Sequence, residues 1–365
     1  MKLGIGNLFL GLCALLASAF ASSCSSVKIE SGTYPLGVML PMTGSDSAVS
    51  RDVLDGMEMA RDEFNAAGGI DGVPLSFVVR DFRAKDFDFA QTMNSLRSAG
   101  VRVMSVGFGR EVIPYHKTFL ECDDIFVNFM CSYAPATVGA KNATRIFING
   151  AQEGDIMAAA VDRSEQTEKQ IVIMHADTLA DKSDSDYLAF CVNVDKTKLY
   201  KDSFADGEKK FDIFSTQIMR LWAQYVFYVG SGRELPAFVD SLARAGYAGA
   251  VVADCGFYNG AWAPASDKIP FYRVETLFQQ RRINSDISKN FSKKFREKYG
   301  RDATWTAAYG YDSVMLLGRA IKSAKFSPDK MREFFVNKEY DGAVGRLKFD
   351  SSADSLSEVS LVKRR

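Results

Sequence analysis

Six letters are spelled nearly twice in this chain: VGFGRE at residues 106–111 and VGSGRE at residues 229–234. Each copy ends a short apolar run, VRVMSV at 101–106 and AQYVFYV at 223–229, of the kind that forms a buried strand. Each then runs toward a proline, in REVIP and RELP, where a helix can begin. A chain that builds the same strand–turn–helix corner twice is constrained to two copies of one α/β unit. With 365 residues it is too long for one ordinary core and comfortable for two.

The rest of the chain carries the same alternation. LGVML (36–40) reads as a strand and 49–67 as a helix. PLSFVVRDF (74–82), VRVMSV and IFVNF (125–129) read as strands, separated by helices at 88–100 and 110–122. TRIFING (144–150) leads to a helix at 155–163, and the alternation restarts. QIVIMHA (170–176), AQYVFYV and GAVVADC (249–255) are strands, separated by helices at 185–193 and 234–247, and PFYRVET (270–276) reads as one more. Two long helices follow, at 285–299 and 306–324, then two strands joined by a Ser/Asp/Ala-rich turn at the end. Strands alternating with helices imply parallel sheets with right-handed crossovers.

Parallel sheets bind ligands outside the carboxyl ends of their strands. If the two units face each other, so do the two corners. Each offers backbone N–H groups at a helix start and adds an arginine, Arg110 or Arg233. That combination suits an anionic group such as a carboxylate. The plainer alternative pairs each arginine with Glu111, Glu234 or solvent.

Several function classes find no support. Lys+Arg and Asp+Glu are both 45, so no basic excess points to nucleic acid. The corners resemble a dinucleotide fingerprint, but the third glycine position holds Val112 or Leu235, and no G-K-[ST] follows either. Ser231 lacks the G-x-S-x-G elbow. The two histidines, His116 and His175, have neither triad context nor metal-ligand spacing, so no cofactor or metal is expected. Nothing names a reaction.

The first residues read as an address. Lys2 gives a basic start and residues 3–21 are almost wholly apolar or small. Ala21-Ser22-Ser23-Cys24 resembles a lipobox, with Ala21 where Leu is usual and Cys24 as the lipidated first residue. Ala19-Phe20-Ala21 also fits ordinary secretory cleavage, and an uncleaved anchor is the third reading. No later stretch approaches the ~20 apolar residues of a membrane span. Of the remaining cysteines, Cys122 and Cys131 could pair in an exported protein, but the strand between them would carry them apart; buried free thiols are the plainer reading there and at Cys191 and Cys255.

Residues 41–82 (PMTGSDSAVSRDVLDGMEMARDEFNAAGGIDGVPLSFVVRDF) resemble the opening of the branched-chain amino-acid type of periplasmic binding protein. The likeness rests on a P-x-T-G turn, a helical glycine at Gly56, an N-x-x-G-G-I-x-G exit from Asn65 to Gly72, and a strand ending at Asp81. WTAAYGYDSVMLLGRAI (305–321) resembles the family's late helix and YDGAVGRLKFDSSADS (340–355) its terminal hairpin. The resemblance implies two Rossmann-like lobes joined by three crossings, closing on a ligand about a hinge. After a leader (1–23) and a tether (24–35), lobe one would comprise 36–148 and 280–343, and lobe two 149–279 and 344–365.

The resemblance further implies an exported, lipid-anchored protein that captures a small amino-acid-like or carboxylate-bearing ligand and hands it to an inner-membrane ABC permease. The alternative is an envelope lipoprotein of the same fold that senses a ligand or regulates a partner. The family's ligand-contacting serine after the third strand is replaced here by Gly109-Arg110. Cys131-Ser132-Tyr133 stand where a small residue and threonine follow the fourth strand, which makes Ser132 and Tyr133 candidates. The usual Tyr-Gly pair of the second lobe is missing from ADTLADKSDSDY. The acidic residue that meets the ligand's ammonium aligns with Cys255, leaving neighbouring Asp254, or Asp177, to take that role.

Overall fold

The computed structural model describes residues 32–161, 169–192, 194–256 and 269–364. The leader, most of the tether and Cys24 lie outside the described residues. Among those described, no helix is long and apolar enough to cross a membrane.

The first sheet contains β1 (Tyr34–Leu40), β2 (Leu75–Asp81), β3 (Val103–Val106), β4 (Phe126–Phe129) and β5 (Ala143–Arg145), all parallel, in the order β2-β1-β3-β4-β5. The second contains β6 (Ile171–Ala176), β7 (Leu199–Phe204), β8 (Tyr225–Val229), β9 (Ala250–Ala253) and β10 (Phe271–Thr276). Their order, β10-β9-β8-β6-β7, is the same arrangement read from the other edge. The repeated corners thus follow β3 and β8, the equivalent strands of two equivalent sheets. The final strand, Val359–Arg364, adds antiparallel to the edge at β10.

Both faces of each sheet are covered, as parallel sheets require. Successive residues of β1 point to opposite sides: Val38 and Leu40 join one buried cluster, and Met39 joins another. The first cluster packs against α1 (Ser47–Ala66), and the second against α2 (Phe89–Ser98). In the second sheet Ile171 and Ile173 face one way and Val172 and Met174 the other. Helix α1 is crossed by a late helix, Trp305–Ala324, at very close range. A Cβ at Gly56 would stand 1.9 Å from the Ala307 carbonyl oxygen, and one at Gly310 would stand 2.2 Å from that of Val53. Each helix therefore needs its glycine for the other's backbone. The N-x-x-G-G-I-x-G exit is equally physical: Asn65 both donates to Leu75 O (2.9 Å) and accepts from Leu75 N (2.7 Å), clasping a loop whose glycines have positive φ.

The chain passes between the lobes three times, at 146–149, 277–285 and 350–358. After the second passage, helix Asp286–Tyr299 returns to the first lobe, where Lys298 pairs with Asp62 of α1 at 2.7 Å. Ile146, Phe147 and Ile148 in the first passage belong to the apolar cluster that contacts both sheets, so the hinge itself is packed.

Local differences from the sequence reading have clear causes. The helix expected at 110–122 is broken: Gly109–Val112 and His116–Glu121 are separate helices with a 3₁₀ turn containing Pro114 between them. Strand β7 and the helix after it, Asp212–Arg220, have no counterpart in the sequence reading. β7 is an edge strand, half-buried along most of its length, so its LYKDSF carries no clean alternation. The chain end forms a small antiparallel sheet of Glu339–Gly342, Gly345–Phe349 and Ser355–Ser357 before the last strand, rather than two strands alone. All four described cysteines are free.

Candidate functional site

The carboxyl ends of the two sheets face each other across a cleft. A cavity of about 60 Å3 lies there, walled from lobe one by Phe108, Gly109, Arg110, Glu111 and Ser132, and from lobe two by Glu153, Asp181, Gly230, Ser231 and Asp254. Phe147 of the first passage and Trp305 complete the wall, their rings 5.6 Å apart.

The two corners are wired alike. Glu111 of the first accepts from Arg83 Nε at 2.8 Å, and Arg83 also grips Asp46 and Ser45 of the P-x-T-G turn at 3.0 Å each. Glu234 of the second accepts from Gly207 N at 2.9 Å and from the Ser231 hydroxyl. Arg83 follows β2 and Gly207 follows β7, the equivalent edge strands. The glutamate of each corner therefore ties it to the loop beyond the edge strand, one strand removed from the corner's own.

The arginines of both corners converge on one carboxylate. Arg110 Nη1 stands 2.5 Å from Asp206 Oδ2, and Arg233 Nη2 donates to Asp206 Oδ1 at 2.9 Å. Arg110 also lies 3.9 Å from Asp181. Asp206 and Arg233 belong to lobe two and Arg110 to lobe one, so this is a bridge across the cleft. Partial burial pulls the Asp206 carboxyl upward, but the close approach and charge of Arg110 outweigh it and hold it below the ordinary carboxylate range. The expected exogenous anion between the arginines thus has a counterpart in the protein itself.

Ser132 makes a second bridge, donating to Asp184 Oδ2 at 3.0 Å. The loop that presents it is fixed by Arg145, the last residue of β5, which is fully buried. Its guanidinium donates to the carbonyls of Cys131, Ser132, Tyr133 and Ala134 at 2.8–3.1 Å and pairs with Asp354.

Lobe two lines the cleft with carboxyl groups. Asp254 Oδ2 accepts from Gly230 N at 3.0 Å, while its buried Oδ1 has no hydrogen-bond partner. Asp184 Oδ1 is buried and unpartnered in the same way. Glu153 accepts from Cys255 N at 2.7 Å. Burial raises all of these groups: Asp181 to about 7, Asp184 to about 6, and Glu153 and Asp254 also upward. Mutual repulsion adds to burial for Asp254, which faces Glu153, Asp181 and Asp184.

Of the residues singled out from the sequence, Arg110, Ser132 and Asp254 line the cavity, and Arg233 lies outside it, joined to Arg110 through Asp206. Tyr133 and Asp177 do not line it. The Tyr133 ring packs edge-on against His116 at 5.3 Å, and Asp177 is exposed. Glu153, Asp181, Asp184 and Asp206 were not singled out. Asp206 follows the unrecognised strand β7, and Asp181 and Asp184 lie on Leu179–Cys191, which begins earlier than the apolar pattern indicated.

The Periplasmic binding protein family model matches residues 33–358. Leu/Ile/Val-binding protein homolog 2 of Brucella abortus (strain 2308) is 25% identical, over 98% of this chain and 96% of its own. An amino acid binding protein of Pseudomonas aeruginosa is 23% identical, over 87% of this chain and 86% of its own. Among solved structures, a leucine-binding protein from Thermotoga maritima superposes with a TM-score of 0.76 at 19% identity, covering 91% of this chain and 98% of that one. A branched-chain amino acid transporter substrate-binding protein from Streptococcus pneumoniae, in complex with isoleucine, gives 0.72 at 21% identity, covering 91% and 99%. A solute-binding protein from R. palustris in complex with benzoate gives 0.74 at 18% identity, covering 91% and 93%. With two equivalent parallel sheets, a cleft at their carboxyl ends and a family match over most of its length, this chain belongs to the periplasmic binding protein family.

Proposed function

We propose that this protein is the exported solute-binding component of an ABC transporter, anchored by lipid on Cys24, capturing a small amino-acid-like solute between its lobes and delivering it to an inner-membrane permease. It binds and releases rather than catalyses. The observation that carries this reading is the cavity at the carboxyl ends of both sheets, walled by charged residues of both lobes and by three aromatic rings. The relatives named above are amino-acid-binding proteins by name, which supports an amine-bearing solute here. The described residues of 36–145 with 286–349 and of 150–276 with 359–364 would move as the two bodies; strand Gly345–Phe349 pairs with Glu339–Gly342, so the last passage falls after 349 rather than after 343.

A thermal-shift screen against amino acids, small amines and organic acids tests the proposal. A solute that binds only the folded state at a hundred times its Kd adds about 2.7 kcal/mol of stability. A hit should also reduce the radius of gyration in solution scattering. A second reading, an envelope lipoprotein that regulates a partner, is favoured by one observation: Arg110–Asp206 and Ser132–Asp184 bridge the lobes through the protein's own side chains. A screen in which no compound raises the melting temperature or compacts the protein would overturn solute capture in favour of that reading.

A further inference from the structure

Two lobe-one side chains of the cleft suit a ligand's carboxylate, the Arg110 guanidinium and the Ser132 hydroxyl. Both are engaged by carboxylates of lobe two, Asp206 and Asp184. Arg110 Nη1 meets Asp206 as an ion pair at 2.5 Å without hydrogen-bond geometry, and the other ionisable groups at the cavity, the Cys255 thiol apart, are carboxyls. Asp254 Oδ1 is buried and unpartnered, and Glu153 and Asp181 stand in the same wall. Opposite them are the rings of Phe108, Phe147 and Trp305, whose faces attract a cation.

Resting on the solute-capture reading, we propose that the cleft selects a small organic cation without a carboxylate, a short alkylammonium, held by Asp254, Glu153 and Asp181 against the aromatic wall. Size agrees with charge. A cavity of about 60 Å3 holds roughly four to six waters at about 10–15 Å3 each, hence a solute of comparable non-hydrogen atom count. Charge balance agrees as well. Asp46, Glu111 and Asp206 are matched by Arg83, Arg110 and Arg233, and Arg145 beneath Ser132 is committed to Asp354, so every guanidinium near the cleft already has a carboxylate. Glu153, Asp181 and Asp254 are the groups an arriving ammonium lets ionise, whereas a zwitterion's own carboxylate opposes that ionisation. The raised carboxyls carry protons that an arriving cation displaces, so binding releases protons to solvent and strengthens as pH rises through about 7–8.

The test is isothermal titration of the full-length protein with n-propylammonium, alanine and propionate at pH 7.5, in two buffers of different ionisation enthalpy. Propylammonium should bind at least about tenfold more tightly than alanine or propionate, with buffer-dependent heats that report proton release. Asp254→Asn, with its fold checked by circular dichroism, should weaken propylammonium at least about tenfold. Asp206→Asn, which frees Arg110, should gain affinity for alanine. Alanine or propionate binding the parent as tightly as propylammonium overturns the proposal, as does an unchanged affinity in Asp254→Asn. If none of the three binds while the wider screen yields a solute, the cation proposal falls and solute capture stands. If neither yields a ligand, both fall.

Discussion

Replacing Asp206 by Asn should loosen the closed arrangement. The substitution keeps the side chain's shape and removes the charge that Arg110 and Arg233 share. Arg110 is 18% exposed and Asp206 41%, so this bridge is neither buried nor fully solvated. Breaking a buried pair costs about 3–5 kcal/mol, and an exposed pair contributes about 0.2–1 kcal/mol. An intermediate of roughly 1–3 kcal/mol follows, which lowers the closed-to-open ratio by about 5- to 150-fold. Two like charges left facing each other add to the loss. Small-angle scattering without solute should show a larger radius of gyration for Asp206→Asn than for the parent, and 1 M salt should change the parent less than the mutation does. Because burial raises Asp206 less than Arg110 lowers it, the bridge is intact above the unfolded carboxyl range near pH 4 and is lost only as pH falls through its depressed folded value. A parent and variant with the same radius at pH 7, or a parent that opens between pH 8 and pH 5, would refute the bridge as a determinant of closure.

Arg145→Met should destabilise the protein by about 3–5 kcal/mol in urea denaturation, because it strands Asp354 and four carbonyls in a fully buried site. The raised carboxyls give the opposite pH trend from Asp206: the folded chain keeps protons that the unfolded chain has lost above about pH 4, so solute-free stability falls as pH rises from about 4 to 7. The climb of Asp181 from 3.8 to about 7 is worth at most about 4 kcal/mol, and Asp181→Asn should flatten that slope in denaturation curves taken across the window. Cys24 should be the mature N-terminus and carry lipid; mass spectrometry of a mature chain beginning at Ser22 would rule this out, and Cys24→Ser should release the protein from membranes.

The double α/β architecture is legible in the sequence because its central strands are uniformly apolar. Strands such as VRVMSV and YVFYV are buried on both faces and announce themselves, and the corners that follow them carry a repeated motif with a repeated job. The cleft was legible only where its residues follow those strands' ends: Arg110, Ser132 and Asp254 follow β3, β4 and β9, and Arg233, one step removed, follows β8. What stayed hidden lies next to the edge. β7 pairs on one side only, so half of its surface can be polar and Lys201 and Asp202 erase the alternation. Losing that strand from the reading loses the loop after it, and with the loop goes Asp206. A guanidinium identified from sequence alone invites an exogenous anion, because its sequence neighbours Glu111 and Glu234 are the nearest internal partners in view. Glu111 is in fact engaged by Arg83, while Glu234, held by Ser231 and Gly207, also lies 3.6 Å from Arg233, so the plainer pairing holds in the second corner alone. The carboxylate shared by the two arginines lies 96 residues from Arg110 and 27 from Arg233 (206 − 110 and 233 − 206), on a segment whose own pattern gives no reason to look there. The carboxylate that occupies both cationic corners therefore comes from a residue outside both recognisable motifs.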